Sequence, residues 1–410
     1  MRSLGADDHV VVVGAGLAGW RLSEGLRREG FTGAITLIGD EHHTPYDRPP
    51  LSKQVLSGKW ELDKTELATM DRLRELDIDA RFGAPAVGLD VDAARVTLGD
   101  GSTVHGTFVV VATGVRARRL PFSAASELHT VRTREDVERL RSVLAEVPTG
   151  STVAVIGGGF IGAEAATSLL GLGYVPVVLE AAPRPLDAVL GSTVASWLEP
   201  LAHNAGIDLL VNQQITDVHR SEGGFRVERA NGDALQVSAV ILGVGAVPNT
   251  EWLSDSGLSL HNGVVVDEYL LAGDTVGAIG DVARFTWRHD PFVEQVRIEH
   301  WQTANDHAAA LAATLTRGSQ NTSPLAMVPY FWSDQYGKKI QMLGHPSASD
   351  DVTLVHGSLE EVKWLALYAR DGVVTGLVAL NQPRALMVSR GLLEPHATWV
   401  DALAAAPWSQ

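Results

Sequence analysis

The fold is decided by residues 9–19, His-Val-Val-Val-Val-Gly-Ala-Gly-Leu-Ala-Gly, and by residues 152–162, Thr-Val-Ala-Val-Ile-Gly-Gly-Gly-Phe-Ile-Gly. In both, a run rich in β-branched residues precedes the spacing Gly-x-Gly-x-x-Gly, which predicts a buried strand, a tight turn and a helix whose N-terminus faces a pyrophosphate. One such match is weak, because glycines also occur in ordinary turns between strands and helices. Two matches, each followed by an acidic residue, indicate that one chain binds two dinucleotides and transfers electrons between them.

The bulk composition is that of an ordinary globular protein with more than one domain. The chain has 410 residues, 45% hydrophobic and 20% charged, and is too long for a single core. The net charge of −16 disfavours non-specific binding to nucleic acid, and an acidic protein partner would need a local basic patch. Because there is no cysteine, disulfides, thiolate metal sites and thiol redox relays are excluded, so a bound flavin would pass its electrons on directly.

Neither a targeting segment nor a metal site is expected. The first predicted strand begins at His9, which leaves no room for a signal peptide, and no apolar run approaches the ~20 residues of a membrane helix. We therefore expect a cytoplasmic protein without membrane insertion. His42, His43, His300 and His307 lack the paired spacing of metal ligands, so surface or core roles are expected for them.

The order of predicted elements indicates an α/β protein with an internal repeat. Residues 9–40 are predicted to form a strand, the glycine loop, a helix over 17–28 and a second strand over 35–39. A shorter copy of this pattern at 150–245 indicates a second Rossmann-like domain inserted within the first. The later predicted elements are a helix over 163–172, a strand over 275–281, a helix over 299–315, and short strands up to 380 that form a separate C-terminal α+β domain.

Acidic residues after the second strand of each copy predict contacts with a ribose. In the first copy Asp40 and Glu41 both qualify, with Asp40 nearer the expected strand end; the alternative is a solvated turn. In the second copy Glu180 follows the strand, where a carboxylate binds the 2′-hydroxyl and repels a 2′-phosphate. Small residues at 181–182 favour NADH over NADPH, whereas Arg184, although flanked by prolines, weakens that preference.

Lys53 and Glu164 are the candidate residues for the reaction site. Glu164 lies just after the third glycine of the second loop, and Lys53 follows a diproline that starts a helix. Such a pair would neutralise both charges in a dry site and position a nicotinamide without exchanging a proton. The alternatives are a surface lysine and an acid that favours the helix N-terminus.

Two further residues are candidates for flavin contacts. Asp281 ends a predicted buried strand, where its carboxylate could accept hydrogen bonds from the ribityl chain of FAD; the alternative is an ordinary aspartate at a turn. Trp332 is either a core aromatic residue or a residue that stacks over the flavin.

Seven segments together resemble a known family. They are 14–19, 45–53, 112–114, 157–164, 280–281, 297–301 and 328–336. The most specific are Arg-Pro-Pro-Leu-Ser-Lys at 48–53 and Phe-Trp-Ser-Asp-Gln at 331–335. Over nearly its whole length the chain resembles the NADH-dependent ferredoxin reductases of bacterial oxygenase and cytochrome P450 systems, in the superfamily of flavoproteins with two dinucleotide-binding domains.

The resemblance implies a domain division and a set of cofactor contacts. The expected domains are an FAD-binding domain at 1–115 and 246–322, an NAD-binding domain at 116–245, and a C-terminal α+β interface domain at 323–410. FAD contacts are implied for Gly14, Ala15, Gly16, Ala18, Asp40, Arg48, Lys53, Thr113, Asp281 and Trp332, and NADH contacts for Ile161, Glu164, Glu180 and Gly245. The motif residues Gly19, Glu41, Gly114, Gly157, Gly159, Gly162, Gly280 and Trp301 complete the predicted cofactor-binding set, and Lys53 and Glu164 are the predicted catalytic residues.

The implied activity is hydride transfer from NADH to FAD, followed by single-electron transfer to an acidic ferredoxin. That ferredoxin would carry a 2Fe–2S, 3Fe–4S or 4Fe–4S cluster and serve a cytochrome P450 or a Rieske-type oxygenase. The expected reductase is a monomer or a weak homodimer, and its candidate docking residues are Arg384, Arg390, Lys338 and Lys339. Ala188 stands where relatives often carry an arginine, so nicotinamide affinity or selectivity could differ.

Two other functions fit the same motifs. One is an NADH oxidase or diaphorase that acts on oxygen, a quinone or a small radical. The other is a flavoprotein whose redox state controls a protein interaction, as in the apoptosis-inducing factor group, which shares the segment at 48–53. The lack of a targeting sequence and of long insertions argues against the second.

Overall fold

The computed structural model describes residues 1–289, 291–394 and 397–409. The chain forms two compact units, each assembled from three separate stretches. The first unit contains Met1–Asp47, Thr65–Arg116 and Val247–Tyr330, and the second contains Arg48–Lys64, Ala117–Ala246 and Phe331–Gln410. Within the described residues, no helix is both long enough and apolar enough to cross a bilayer.

A five-stranded parallel sheet lies at the core of the first unit. Its strands are hydrogen-bonded in the order Val276–Ala278, Phe108–Val111, His9–Val13, Ala34–Ile38 and Ile78–Arg81. Val10, Val11 and Val12 are fully buried because the sheet is covered on both faces, which explains why the sequence is continuously apolar there and does not alternate. Helices Leu17–Arg28 and Trp301–Arg317 pack against each other in this unit.

The second unit contains a shorter version of the same sheet, as the internal repeat predicts. Its parallel strands follow the order Ala239–Leu242, Thr152–Ile156, Val175–Leu179 and Asp208–Leu210. Helix Phe160–Gly171 follows the second glycine loop, and helix Arg134–Glu146 begins at a capping box formed by Thr133 and Asp136. The two-copy α/β architecture is therefore confirmed.

Each copy also carries a three-stranded antiparallel sheet. In the first it is formed by Ala86–Asp90, Arg95–Leu98 and Thr103–His105, and in the second by Ile215–Ser221, Gly224–Arg229 and Ala234–Val237. Hairpin turns at Gly101 and Gly232 connect strands of these sheets, and both glycines have positive φ, at 85° and 87°.

The C-terminal part of the second unit is built around a five-stranded sheet. Its strand order is Tyr330–Gln335, Lys338–Gly344, Val373–Leu380, Lys363–Arg370 and Asp351–Ser358. Helices Pro383–Val388 and Trp399–Ala405 follow it, so this part has the predicted α+β character.

The remaining elements are short except for helix Asp187–Leu198, which has 12 residues. They are the π-helical turn Leu51–Val55, the helices Met70–Glu75, Asp187–Leu198 and Pro200–Asn204, the strands Val115–Ala117, Ala246–Pro248, Val264–Val265, Ala283–His289 and Phe292–Val296, and the 3-10 turns Leu62–Thr65, Glu251–Leu253, Gly280–Val282, Ser319–Asn321, Arg390–Leu392 and Pro407–Ser409.

Four predicted elements have other bounds in the structure. The second strand, expected over 35–39, is Ala34–Ile38. The helix expected at 163–172 begins at Phe160, directly after the middle glycine, and the helix expected at 299–315 is Trp301–Arg317. The strand expected over 275–281 covers only Val276–Ala278, because Gly280 has a φ of 70° and turns the chain into a 3-10 turn.

Candidate functional site

The first glycine loop is tightly packed on one side and open on the other. A Cβ on Gly14, whose φ is 117°, would lie 2.2 Å from the carbonyl oxygen of Ala112, and a Cβ on Gly19 would lie 1.9 Å from that of Gly14. A Cβ on Gly16 would meet no described atom within 4 Å. The outer glycines are therefore required by packing, while the middle one leaves its backbone accessible to a ligand.

The second loop repeats this arrangement. A Cβ on Gly157 would lie 2.4 Å from the carbonyl oxygen of Gly243, and one on Gly162 would lie 2.0 Å from that of Gly157. On Gly159 the nearest contact would be 4.0 Å away. Gly16 and Gly159 are also the N-caps of the two helices, and neither N-terminus receives a side-chain cap within the described residues. Open backbone N–H groups at a helix N-terminus fit a pyrophosphate in both copies.

In the second copy, the carboxylate of Glu180 is hydrogen-bonded to the glycine loop. Glu180 accepts hydrogen bonds from the N–H of Gly158 through Oε2, at 2.7 Å, and from the N–H of Ala182 through Oε1, at 2.8 Å. Arg184 lies close by in sequence, but its Nε is 3.3 Å from Oε2 of Glu199. The carboxylate of Glu180 therefore lies directly against the loop, held by these two backbone N–H groups.

The candidate acids of the first copy are arranged differently. Asp40 is exposed, and its Oδ1 accepts the N–H of Glu41 at 3.1 Å. Glu41 accepts the hydroxyl of Tyr46 at 2.5 Å through Oε2. Strand Ala34–Ile38 ends two residues before Asp40, so Gly39 is the first residue after this strand.

Lys53 and Glu164 form a buried ion pair. Nζ of Lys53 lies 2.9 Å from Oε2 of Glu164, and the two side chains are 14% and 4% exposed. The same Oε2 accepts the hydroxyl of Ser52 at 2.6 Å, while Oε1 accepts the hydroxyl of Ser333 at 2.7 Å and the N–H of Asp334 at 3.1 Å. Four donors on one carboxylate fix its position, as a charge in a dry site requires.

Further contacts hold the segments around this pair together. The hydroxyl of Ser168 donates to the carbonyl of Ser52 at 2.7 Å, and the N–H of Tyr336 donates to the hydroxyl of Thr167 at 2.8 Å. The rings of Phe160 and Phe331 have centroids 4.4 Å apart. Helix Phe160–Gly171 therefore binds the π-helical turn on one side and the first strand of the C-terminal sheet on another.

The other predicted residues of the first unit have defined partners. Thr113 donates to the carbonyl of Asn249 at 2.8 Å, and the indole N–H of Trp301 donates to Oδ1 of Asp47 at 2.8 Å. The predicted residues in this unit are Gly14, Ala15, Gly16, Ala18, Gly19, Asp40, Glu41, Thr113, Gly114, Gly280, Asp281 and Trp301.

The second unit contains the remaining predicted residues. They are Arg48, Lys53, Gly157, Gly159, Ile161, Gly162, Glu164, Glu180, Gly245 and Trp332. Arg48 donates to the carbonyl of Arg132 at 2.7 Å, Ile161 is 45% exposed although it is apolar, and Trp332 is half-buried. The three residues 48, 53 and 332, which the resemblance assigned to FAD, thus lie in the same unit as the second loop.

Two functional residues were missed at the sequence level. Ser52 and Ser333 both donate to Glu164, yet neither was selected. Each is the immediate neighbour of a selected residue, Lys53 and Trp332, within the two most specific segments. That proximity was the only signal in the sequence, because the contacts span more than a hundred positions.

Comparison with known proteins defines the class. Residues 8–308 match the model of the pyridine nucleotide-disulphide oxidoreductase family, and residues 330–409 match the reductase C-terminal family. The chain therefore belongs to the pyridine nucleotide-disulphide oxidoreductase family, and the resemblance inferred from its motifs is confirmed.

Individual relatives narrow the class to ferredoxin reductases. The chain is 35% identical to rhodocoxin reductase of Rhodococcus erythropolis, over 94% of this chain and 89% of that protein. It is 33% identical to the ferredoxin reductase component of chlorobenzene dioxygenase from Cupriavidus sp. strain PS12, over 95% and 93%. Among solved structures, the reductase in a covalent putidaredoxin reductase–putidaredoxin complex superimposes with a TM-score of 0.88 at 31% identity, covering 95% of this chain and 94% of the other.

Proposed function

We propose that this protein is an FAD-dependent ferredoxin reductase that takes reducing equivalents from NADH. It delivers them as single electrons to an iron–sulfur ferredoxin that serves a cytochrome P450 or a Rieske-type oxygenase. The observation that carries the proposal is the pair of glycine loops, each packed at its outer glycines and open at Gly16 or Gly159. When bound, FAD supplies the step from two-electron uptake to one-electron release, which a chain without cysteine could not supply itself.

The first loop is assigned to FAD and the second to NADH. In this proposal residues 1–115 and 246–322 bind FAD, residues 116–245 bind NADH, and residues 323–410 form the interface domain. The selected residues of each loop, together with Asp40, Thr113 and Asp281 on one side and Glu180 on the other, hold the two dinucleotides.

Glu180 supports NADH over NADPH. The Glu180 carboxylate is fixed by two backbone N–H groups at the point where a nicotinamide dinucleotide places its adenosine ribose, so it would accept the 2′-hydroxyl and repel a 2′-phosphate. Arg184 would favour a phosphate, and its exposed pairing with Glu199 offsets that charge only in part. Ala188 contributes no additional positive charge.

Lys53 and Glu164 are proposed to position the nicotinamide without exchanging a proton. Each neutralises the other in a nearly water-free setting, and three further donors restrain the carboxylate. A fixed, neutral pair can orient an incoming ring and exclude water without competing for the hydride.

The ferredoxin partner is proposed to be acidic, with a 2Fe–2S, 3Fe–4S or 4Fe–4S cluster. Two of the four basic docking candidates pair with acids of the same chain. Nζ of Lys339 lies 3.5 Å from Oδ1 of Asp334, and Nη2 of Arg390 lies 3.1 Å from Oε1 of Glu394, so their charges are partly neutralised. Arg384 is exposed on the first C-terminal helix and is the better candidate. Cytoplasmic residence and a monomeric or weakly dimeric state stay predictions from the sequence.

The test is NADH-driven reduction of cytochrome c by the FAD-loaded protein, with and without a ferredoxin. We expect turnover to increase at least tenfold when ferredoxin is added. Equal turnover without ferredoxin would indicate an oxidase or diaphorase. Slow flavin reduction accompanied by dimerisation would indicate a redox-controlled binding protein. A protein that cannot take up FAD would refute all three functions.

A further inference from the structure

His307 is a fully buried histidine in the first unit, on helix Trp301–Arg317. Its Nδ1 accepts a hydrogen bond from the backbone N–H of Gly280 at 3.2 Å. The ring of Phe285 meets it edge-on, with centroids 4.5 Å apart. Because Nδ1 accepts, the ring is neutral and its single proton is on Nε2.

Gly280 is the residue that turns the chain toward Asp281. Its φ of 70° lies in the left-handed region, and a Cβ on it would be 2.8 Å from the Cβ of Ala18. Ala18 is in the first turn of the helix that follows the first glycine loop. The bond from Gly280 to His307 therefore holds a tight turn against the same helix whose N-terminus is the proposed pyrophosphate site.

Two other hydrogen bonds hold the turn: the side chain of Arg297 donates to the carbonyl of Asp281 at 3.0 Å, and the N–H of Ala283 donates to the carbonyl of Gly280. Both end on carbonyls, so the N–H of Gly280 depends on His307. Burial lowers the pKa of His307 to about 3, so the ring remains an acceptor throughout the neutral range. A buried N–H without a partner is unfavourable, so removing the acceptor would make an altered turn competitive with the observed one. In the altered turn, Asp281 would no longer have its observed position relative to Ala18.

We propose that His307 is a positioning residue for FAD, which keeps Gly280 and Asp281 in the binding conformation by accepting the N–H of Gly280. Among the described residues, the side-chain hydrogen bond of His307 is to Gly280 and not to the first glycine loop or Asp281. His307 therefore acts through Gly280. Its role rests on the proposed function, because it presupposes that Asp281 and the first glycine loop bind FAD.

The experiment measures the FAD dissociation constant of the apoprotein, from the quenching of flavin fluorescence and the visible spectrum of bound flavin. His307→Phe and the smaller His307→Leu remove the acceptor. His307→Asn keeps an acceptor at the position of Nδ1. His129→Phe serves as a matched control, since His129 is also buried but lies in the second unit.

We expect the Phe and Leu variants to bind FAD about tenfold more weakly, with Asn within threefold of the wild type and the His129 control unchanged. If either apolar variant binds as tightly as the wild type, or if Asn is as weak as Phe, the bond to Gly280 has no positioning role and the proposal is overturned while the reductase function stands. If the wild-type apoprotein takes up no FAD, both proposals fail. If Phe does not fold, the comparison of Leu with Asn decides.

Discussion

The two copies of the dinucleotide-binding fold differ at the residue that directly follows the second strand of each sheet. In the first sheet Val13 pairs with Ile38, and in the second Ile156 pairs with Leu179, so Gly39 occupies the position of Glu180. A Cβ on Gly39 would lie 2.8 Å from the Cβ of Ala15, whereas Glu180 sits over Gly158 and accepts its N–H. An alanine in the loop thus excludes an acid directly after the strand, and a glycine admits one.

This exchange explains why the two copies need not bind the same dinucleotide. In the first copy the acids come one or two residues later, at Asp40 and Glu41, so the proposed ribose contact would come from a different direction. The helices differ as well. Glu164 follows Gly157 at the same distance as Arg21 follows Gly14; Glu164 is buried with four donors, while Arg21 is 34% exposed and pairs with Glu24 at 2.9 Å.

The largest difference between the copies is expected in the unfolding free energy of variants at Glu164 and at its counterpart Arg21. Glu164→Ala would leave Lys53, Ser52 and Ser333 without their buried acceptor, with an expected loss of about 3–5 kcal/mol of unfolding free energy. The matched Arg21→Ala removes a single, partly exposed pair with Glu24 and should change stability by less than about 1 kcal/mol. Urea unfolding of both variants measures this. Equal losses would mean that the four-donor site is no more important than a surface pair.

Substitution of the third glycine in each loop should affect a different ligand in each copy. Gly19→Ala and Gly162→Ala each place a Cβ about 2 Å from a backbone oxygen, with an expected loss of about 3 kcal/mol in either unit. Gly19→Ala should lose FAD, and Gly162→Ala should retain FAD but bind NADH poorly. Flavin content and NADH titration distinguish them. Loss of FAD in the Gly162 variant alone would reverse the assignment of the two loops.

The middle glycines test ligand contact without loss of packing. Because a Cβ on Gly16 or Gly159 meets no protein atom closer than 4.0 Å, alanine there should change the unfolding free energy by no more than about 0.5 kcal/mol. It should nevertheless weaken the dinucleotide of that loop about tenfold, since the methyl group occupies the space in which the pyrophosphate approaches. Calorimetric titration with FAD and NADH measures both. Unchanged affinity in either variant would argue that no phosphate lies over that glycine.

Much of the architecture was predictable because it is encoded locally. Helix Leu17–Arg28 and strand His9–Val13 have the predicted ends, since the glycine spacing and the valine run fix them. Helix Phe160–Gly171 starts three residues before its predicted start, although the first copy shows that such a helix begins right after the middle glycine.

The candidate site was predictable only in part, because its contacts are not local. Lys53 and Glu164 were selected from motifs, but Ser333 reaches Glu164 across 169 positions, and no spacing rule records that contact. That Gly39 and Glu180 occupy equivalent positions follows from the register of the two sheets. This register is known only once Ala15 and Gly158 are placed next to their strands. For His307 a surface or core role was expected because it lacks the paired spacing of metal ligands, and it does lie in the core. Its alanine-rich helix gives no sign of the hydrogen bond to Gly280.

The smallest expected effect concerns acid stability, and it belongs to the first copy. The second sheet has only four strands, whereas the first has the additional strand Val276–Ala278 that leads to Gly280 and so to His307. The pKa of His307 falls from 6.5 to about 3 on folding, so the unfolded chain binds more protons and stability is lost as the pH falls from 6.5 toward 3. Between pH 7.5 and 6.0 the loss should be about 0.8 kcal/mol, from the two pKa values.

Urea unfolding at the two pH values, in the wild type and in His307→Asn, isolates this contribution. Burial also lowers the pKa values of His9 and His129, but both residues are present in both proteins and cancel in the comparison. The Asn variant should therefore lose about 0.8 kcal/mol less than the wild type on acidification. If the two proteins lose equal stability, His307 is not held neutral by burial. The hydrogen bond from Gly280 to His307 would then give the first copy no acid sensitivity that the second copy lacks.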